Sequence, residues 1–317
     1  MHARSRSAFG LPEEPPRTPG GRRCTLCANA CSIGEGERGF CGLRTVRQGR
    51  LVHLAGTPAA GLLHWYRDPL PTNCVADWVC EGSRHVGCHN LAVFYASCTA
   101  DCLFCQNWHY RRASPEASRR ISARELADQA NDRTFCVCYF GGDPASQMPH
   151  ALAASRHLAA RGVRICWETN GTMHPRLLQT AVQLSFDTGG CVKFDLKAFD
   201  DSLNRALTGV SNRSVLDNFA LAARWASRRP EPPLVVASTL LVPGYVDADQ
   251  VGSLARFIAA IDRDIPYALL AFAPAFEMAD LPCTTLSEAL AAESAAREAG
   301  LTRVRIGNRH LLGASRL

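Results

Sequence analysis

Asn90-Leu-Ala-Val-Phe-Tyr-Ala-Ser97, followed at once by Cys98-Thr-Ala-Asp-Cys102-Leu-Phe-Cys105-Gln-Asn-Trp108, is the stretch from which the rest of the chain can be read. Residues 90–97 have the composition of a strand, and that strand runs straight into a cysteine loop. The spacing Cys-x3-Cys-x2-Cys puts three thiolates on one short loop, close enough to hold three irons of a single cubane cluster. A closed electron-transfer cluster would want a fourth thiolate, and the loop offers none. One iron is then left open, and an open metal position is where chemistry takes place. The plainer readings are a zinc site or three buried thiols. Structural zinc sites usually show four ligands, often as two Cys-x2–4-Cys pairs, so the cluster is the better expectation.

Working outward, short apolar runs alternate with amphipathic stretches from Asn90 to near the C-terminus. Strands are expected over 134–140, 163–168, 191–196, 234–242, 267–272 and 303–306. Helices are expected from about 144 to 161, after Thr172, across 201–228 and after Asp247. Ser122-Ala-Arg-Glu125 and Thr285-Leu-Ser-Glu288 are capping boxes that start two further helices. Strands alternating with helices imply parallel pairing through crossover helices. Six such units fit an α/β fold, a partial (β/α)6 TIM-like barrel, preceded by a Cys-rich N-terminal extension. The polar motifs fall at strand C-termini, the face on which barrel enzymes carry their sites. A doubly wound sheet shares this alternation, and periodicity alone does not separate the two. The expected organisation is a flexible N-terminus (1–20), a Cys-rich metal-binding region (21–89) and a core domain (90–317).

Three strand-end motifs carry candidate chemistry. Gly141-Gly142-Asp143-Pro144 follows a strand directly; glycines there let a ligand approach the backbone closely and expose carbonyls to it. Isolated, such a pair would be a plain strand-to-helix turn. In Lys193-Phe194-Asp195-Leu196-Lys197 the charged side chains share one face and the apolar ones the other. The apolar face should meet the outer helices, which leaves the charges in the barrel interior, where they are costly unless paired or bound to a ligand. Lys193 and Lys197 are the only two lysines in a chain that otherwise uses arginine. A structural ion pair is the plainer reading. Glu168-Thr169-Asn170-Gly171 offers a carboxylate, a hydroxyl and an amide for ribose hydroxyls or a cation, or simply a helix N-cap.

These residues carry a resemblance. The cysteine loop, down to the aromatic Phe104 before its third cysteine, resembles the signature of the radical S-adenosylmethionine (SAM) enzymes. In that family the open iron chelates the amino and carboxylate groups of SAM, and one electron splits SAM into methionine and a 5′-deoxyadenosyl radical that abstracts hydrogen. The resemblance implies a [4Fe-4S] cluster on Cys98, Cys102 and Cys105 and an external one-electron donor such as a ferredoxin or flavodoxin. It implies SAM contacts from Gly141, Gly142, Asp195 and Lys197, with Phe104 near the adenine. Asp143 stands where the family commonly has Glu, and Glu168 and Asn170 sit at the matching strand tip.

One branch is closer still. Asp195-Leu-Lys197, Leu207-Thr-Gly-Val-Ser-Asn212 and Val242-Pro-Gly-Tyr-Val-Asp247 resemble, in order and spacing, the activating enzymes of pyruvate formate-lyase. There the carboxylate and hydroxyl before Asn-Gly, with the Asp of Asp-Leu-Lys, help bind a monovalent cation; the matching positions are Glu168 (usually Asp), Thr169 and Asp195. The substrate would be a backbone glycine of a glycyl-radical enzyme. The alternatives are another peptide, protein or small molecule, or a non-catalytic metal relay.

Cys24-x2-Cys27-x3-Cys31-x9-Cys41 is a second metal-grade group, able to wrap one tetrahedral ion or one cluster. Its spacing does not choose between zinc and iron–sulfur. It resembles the N-terminus of the radical-SAM protein of the AmmeMemoRadiSam system, a segment that pyruvate formate-lyase activators lack. Cys74, Cys80 and Cys88 could add to a metal site or be buried. Cys136, Cys138, Cys166 and Cys191 read as core thiols. Gly307-Asn308-Arg309-His310 is placed near the site mouth, with His310 structural.

Bulk properties agree with a soluble globular protein. The 317 residues are 47% apolar and 20% charged, with net charge +6 and fifteen cysteines. Basic residues are scattered rather than gathered on one helix, so no nucleic-acid partner is expected. No apolar run approaches the roughly 18 residues of a membrane span, and the first twenty residues lack a signal-peptide core. Clustered cysteines without an export signal fit a reducing, cytoplasmic setting and metal rather than disulfides.

Overall fold

The computed structural model describes residues 1–72 and 74–313; residues 314–317, the end of the expected core domain, lie outside it. A short helix, His2–Ser7 (α1), is followed by two small antiparallel ribbons, Arg22–Arg23 (β1) with Ser32–Ile33 (β2) and Arg44–Arg47 (β3) with Arg50–His53 (β4). Leu63–Pro69 (β5) then pairs antiparallel with His89–Tyr95 (β6). Beyond it come Ala123–Ala127 (α2), Thr134–Phe140 (β7), Met148–Ala159 (α3), Arg164–Thr169 (β8), Pro175–Thr188 (α4) and Val192–Asp195 (β9). The chain continues through Asp201–Thr208 (α5), Arg213–Ala223 (α6), Val235–Leu241 (β10), Ala248–Ala259 (α7), Tyr267–Ala271 (β11), Leu286–Glu298 (α8) and Val304–Gly307 (β12).

Strands β6 to β12 lie side by side in chain order, each parallel to the next. A doubly wound sheet reverses its strand order at a switch point, and this sheet never does. Seven parallel strands joined by six helical crossovers, with β5 and β12 as its two edges, make an open (β/α)6 barrel. The interior strand β10 is buried along its whole length, as a parallel strand covered on both faces must be. Trp167, Tyr139, Phe194 and Phe219 fill the core between sheet and helices. Both expected capping boxes form: Ser122 and Thr285 each accept from the backbone of the glutamate three residues on, whose carboxylate returns the bond.

Two features differ from expectation. The boundary near residue 90 is not a break in the sheet, because β5 from the Cys-rich region forms its edge. Leu63-His-Trp-Tyr-Arg-Asp-Pro69 lacks the regular alternation that betrays a half-buried strand, since it is mostly exposed. The segment 1–20, expected to be flexible, begins with α1, whose Ser5 and Arg6 are buried. What holds them is Asp101, almost a hundred residues away, so nothing local announced it.

Candidate active site

The C-terminal ends of the parallel strands surround a cavity of about 740 Å³. Cys98, Cys102, Phe104 and Cys105 reach it from the loop after β6, Gly141, Gly142 and Asp143 from β7, Glu168, Thr169 and Asn170 from β8, and Lys193, Asp195 and Lys197 from β9. Gly307, Asn308, Arg309 and His310 close the far side. The Gly141–Asp143, Glu168–Asn170 and Lys193–Lys197 motifs therefore meet in one place, whereas Val242–Asp247 does not line it and its Asp247 caps α7 instead. His310, expected to be structural, instead stands exposed at the rim.

The cysteine loop is held by backbone bonds to α5: Asp101 N–H donates to Thr208 O (2.7 Å) and Leu103 N–H to Leu207 O (3.0 Å). That is the structural use of the Leu207-Thr208-Gly209 motif. Asn212, at the end of the same motif, donates from its side chain to Ala198 O (2.9 Å) and Phe199 O (2.7 Å), which fixes the loop after Lys197. Beneath the cysteines lies a buried ionic knot that sequence reasoning missed. Asp101 accepts from His2 Nδ1 (2.8 Å), is paired with Arg111, and has Arg6 at 3.6 Å. Burial alone would raise its pKa; the His2 hydrogen bond and the Arg111 and Arg6 charges hold it below the usual carboxylate range.

Burial pushes the Cys98 and Cys102 thiols up to about 12 and Cys105 up to about 11, and each lies within electrostatic reach of another of the three. Arg111 acts on all three and Lys197 on Cys102 and Cys105, in the opposite sense. Three mutually close thiols with cations beside them suit a thiolate-bound cluster, whose binding drives their protons off. Two guanidinium nitrogens of Arg111 and the Asp195 Oδ1 are buried without a hydrogen-bond partner among the described residues. Asp195 Oδ2 is paired with Lys197, whose ammonium lies 5.3 Å from the Phe104 ring centroid. Asp195, which lines the cavity, thus keeps one buried oxygen free of any partner among the described residues. The fit to a cluster with a polar organic ligand is good.

The other strand tips are more committed. Asp143 accepts from Ala145 N–H (2.7 Å), Asn170 N–H (2.6 Å) and the Thr169 hydroxyl (3.1 Å), so its carboxylate braces β7 against β8. Burial raises its pKa to about 6 in spite of those bonds. Asn170 donates to Thr99 Oγ1 (2.9 Å) and accepts from the Thr172 hydroxyl (2.8 Å). Glu168 lies 3.2 Å from the Lys193 ammonium. Of the residues matched to a cation site, Glu168 therefore already faces a cation of the protein, and Thr169 is turned to Asp143.

Cys24, Cys27, Cys31 and Cys41 do come together, around a small pocket that also touches Thr99 of the cluster loop. The Asn29 side chain donates to Thr99 O (2.7 Å) and Ala28 N–H to Thr172 O (2.8 Å), so this group is seated against the main site. Burial raises the thiols of Cys24, Cys27 and Cys31, Cys31 to about 11, and Cys41 acts on each of them. Cys88 lines neither of these cysteine pockets.

An open α/β barrel with three cysteines on its first strand-end loop defines the class of iron–sulfur barrel enzymes. The chain belongs to the radical SAM superfamily, which it matches over residues 92–257, just over half its length. It is 27% identical over 305 residues to an uncharacterised protein of Methanocaldococcus jannaschii, covering 90% of this chain and 81% of that one. It is 31% identical over 134 residues to the isethionate sulfite-lyase activating enzyme of Desulfovibrio desulfuricans, covering 42% of this chain and 40% of that enzyme. The structure of Streptococcus suis SuiB bound to SAM covers 70% of this chain and 51% of that one with a TM-score of 0.50 at 17% identity, a likeness of fold. Among the described residues no helix is long and apolar enough to cross a membrane.

Proposed function

We propose that the chain cleaves SAM reductively on a [4Fe-4S] cluster held by Cys98, Cys102 and Cys105, and uses the product to take hydrogen from a protein backbone, as an activase of a glycyl-radical enzyme. When bound, the cluster with SAM supplies the one-electron chemistry. The residues of the chain do the rest. Lys197 and Arg111 offset thiolate charge, Asp195 Oδ1 accepts from a ligand hydroxyl or ammonium, the Gly141-Gly142 turn presents backbone carbonyls, and buried Phe104 gives an apolar wall that keeps water from the reacting atoms.

The observation that carries the reading is the convergence of the three cysteines, the Gly141-Gly142 turn and the Asp195–Lys197 pair on one cavity. The substrate class is supported by relatives named as activating enzymes, matched over part of their length. A different peptide substrate is the second reading, favoured by the four-cysteine segment seated against the site. The test is anaerobic: reconstitute with iron and sulfide, add SAM and dithionite, and quantify 5′-deoxyadenosine. Wild type should produce it, Cys102→Ala should not, and Asp195→Asn should raise the SAM concentration needed by at least about tenfold, the worth of one charge-assisted hydrogen bond. A chain with a full cluster and no 5′-deoxyadenosine would sink the proposal.

A further inference from the structure

Six cysteines outside both groups above gather inside the barrel, below the site. Cys136 and Cys138 lie on one face of β7, Cys166 on β8 and Cys191 just before β9. The register sets Cys138 beside Cys166, and pairs Trp167 with Val192, which sets Cys166 beside Cys191. Cys74 and Cys80 come in from the segment after β5, and the six thiols with Lys193 line one cavity of about 50 Å³. All six are free. Cys74, Cys138 and Lys193 also line the large cavity, so the group forms part of its floor.

Core thiols are ordinary apolar filling. A buried ammonium aimed at them is not. Lys193 is 1% exposed, and its Nζ lies 3.0 Å from Cys138 Sγ and 3.1 Å from Cys74 Sγ. A buried cation needs anions around it; Glu168 gives one carboxylate, and sulfur becomes a strong acceptor only as thiolate. Several thiolates in a dry cavity are in turn held by metal. The donors come from three adjacent strands spaced about 4.8 Å apart, whereas zinc draws four sulfurs into one shell of about 2.3 Å. Among the described residues no three metal-type donors converge as the ligands of one ion do, at the Cys98 loop as here. Spread donors suit a polynuclear cluster, in which each thiolate meets a different iron.

The geometry points to an auxiliary iron–sulfur cluster bound by Cys74, Cys138, Cys166 and Cys191, flanked by Cys80 and Cys136, with Lys193 offsetting its negative charge. It is separate from both the Cys98 loop and the Cys24–Cys41 group. It lies within the barrel, at the floor of the cavity that holds the reacting centre.

The decisive chain has alanine at Cys98, Cys102, Cys105, Cys24, Cys27, Cys31 and Cys41. Reconstituted anaerobically with iron and sulfide, it should keep roughly two to four irons with matching sulfide, visible by Mössbauer spectroscopy. Adding Cys166→Ser and Cys191→Ser should remove them. A folded seven-alanine chain without cluster iron would overturn the assignment. Should that chain fail to fold, the same pair of serines in the otherwise native protein gives the answer. Iron should fall by roughly two to four per chain while SAM binding at the Cys98 loop persists. Unchanged iron, or one zinc in place of iron, would each overturn it.

Discussion

At the scale of single residues, the site depends on two glycines for different reasons. Gly142 has φ +54°, and a Cβ there would sit 1.9 Å from the Tyr95 carbonyl oxygen, which is backbone and has nowhere to go. Gly141 has φ +69°, and its Cβ would meet the ring of Phe94 at 1.8 Å, a side chain that can swing. Both substitutions incur the left-handed penalty of roughly 1–2 kcal/mol. Only Gly142→Ala also forces strand β6 and the turn apart, and with them the bond from Asp143 N–H to Ser97 O. Gly142→Ala should therefore cost more than about 3 kcal/mol and Gly141→Ala about half that, read as shifts in urea midpoint. Equal losses would mean that the Tyr95 contact does not matter. The adjoining Asp143 shows what the sequence left unread. Its position after the glycine pair marks it as a ligand contact, but its short carboxylate is spent on Asn170 and Thr169. Which way a side chain turns at a strand tip is set by the neighbouring loop, not by its own.

At the scale of elements, α1 is a strap across the back of the cluster loop. Arg6 lies beside Asp101, donates to the Phe40 and Pro12 carbonyls, and lies 3.5 Å over the Phe40 ring. It thereby joins the loop of the three cysteines to the segment of the four. Arg6→Ala leaves buried carbonyls without a donor and the Asp101 charge less well paired, so a loss of about 2–4 kcal/mol is expected. Iron held at the Cys98 loop should also be released faster to a chelator than in wild type. A melt within about 0.5 kcal/mol of wild type would show α1 to be ornamental. Elements with a period or a cap, such as β7 at Thr134–Phe140 and the Ser122 and Thr285 helices, are legible from local sequence. Helix α1 is not, because Arg6 and Asp101 are far apart in the chain and a polar hexapeptide carries no sign of its partner. Strand β5 is an exposed edge, and edges lose the alternation that one buried face imposes.

At the scale of the whole molecule, the motifs converge because a parallel barrel delivers every strand end to one face; that much follows from strand order. The inner cysteines and the anchoring of α3 come from contacts between distant segments, which leave no period to detect. His150 is such an anchor. It sits wholly buried on α3, its Nε2 donating to Ile121 O (3.0 Å) and its Nδ1 accepting from the Tyr95 hydroxyl (2.9 Å). It therefore ties a helix to β6 and to the chain leading into α2. Burial lowers its pKa to about 4, against an unfolded value of about 6.5. The unfolded chain thus takes up a proton that the folded chain refuses. Stability is full above pH 6.5 and is lost as pH falls toward 4, by roughly 2–3 kcal/mol between pH 6.5 and 4.5. His150→Gln keeps a donor and an acceptor but cannot titrate, so its urea midpoint should fall less steeply over that range even where it starts lower. If the variant and the wild type lose stability in parallel from pH 6.5 to 4.5, the acid response belongs to other groups and His150 stays neutral in both states.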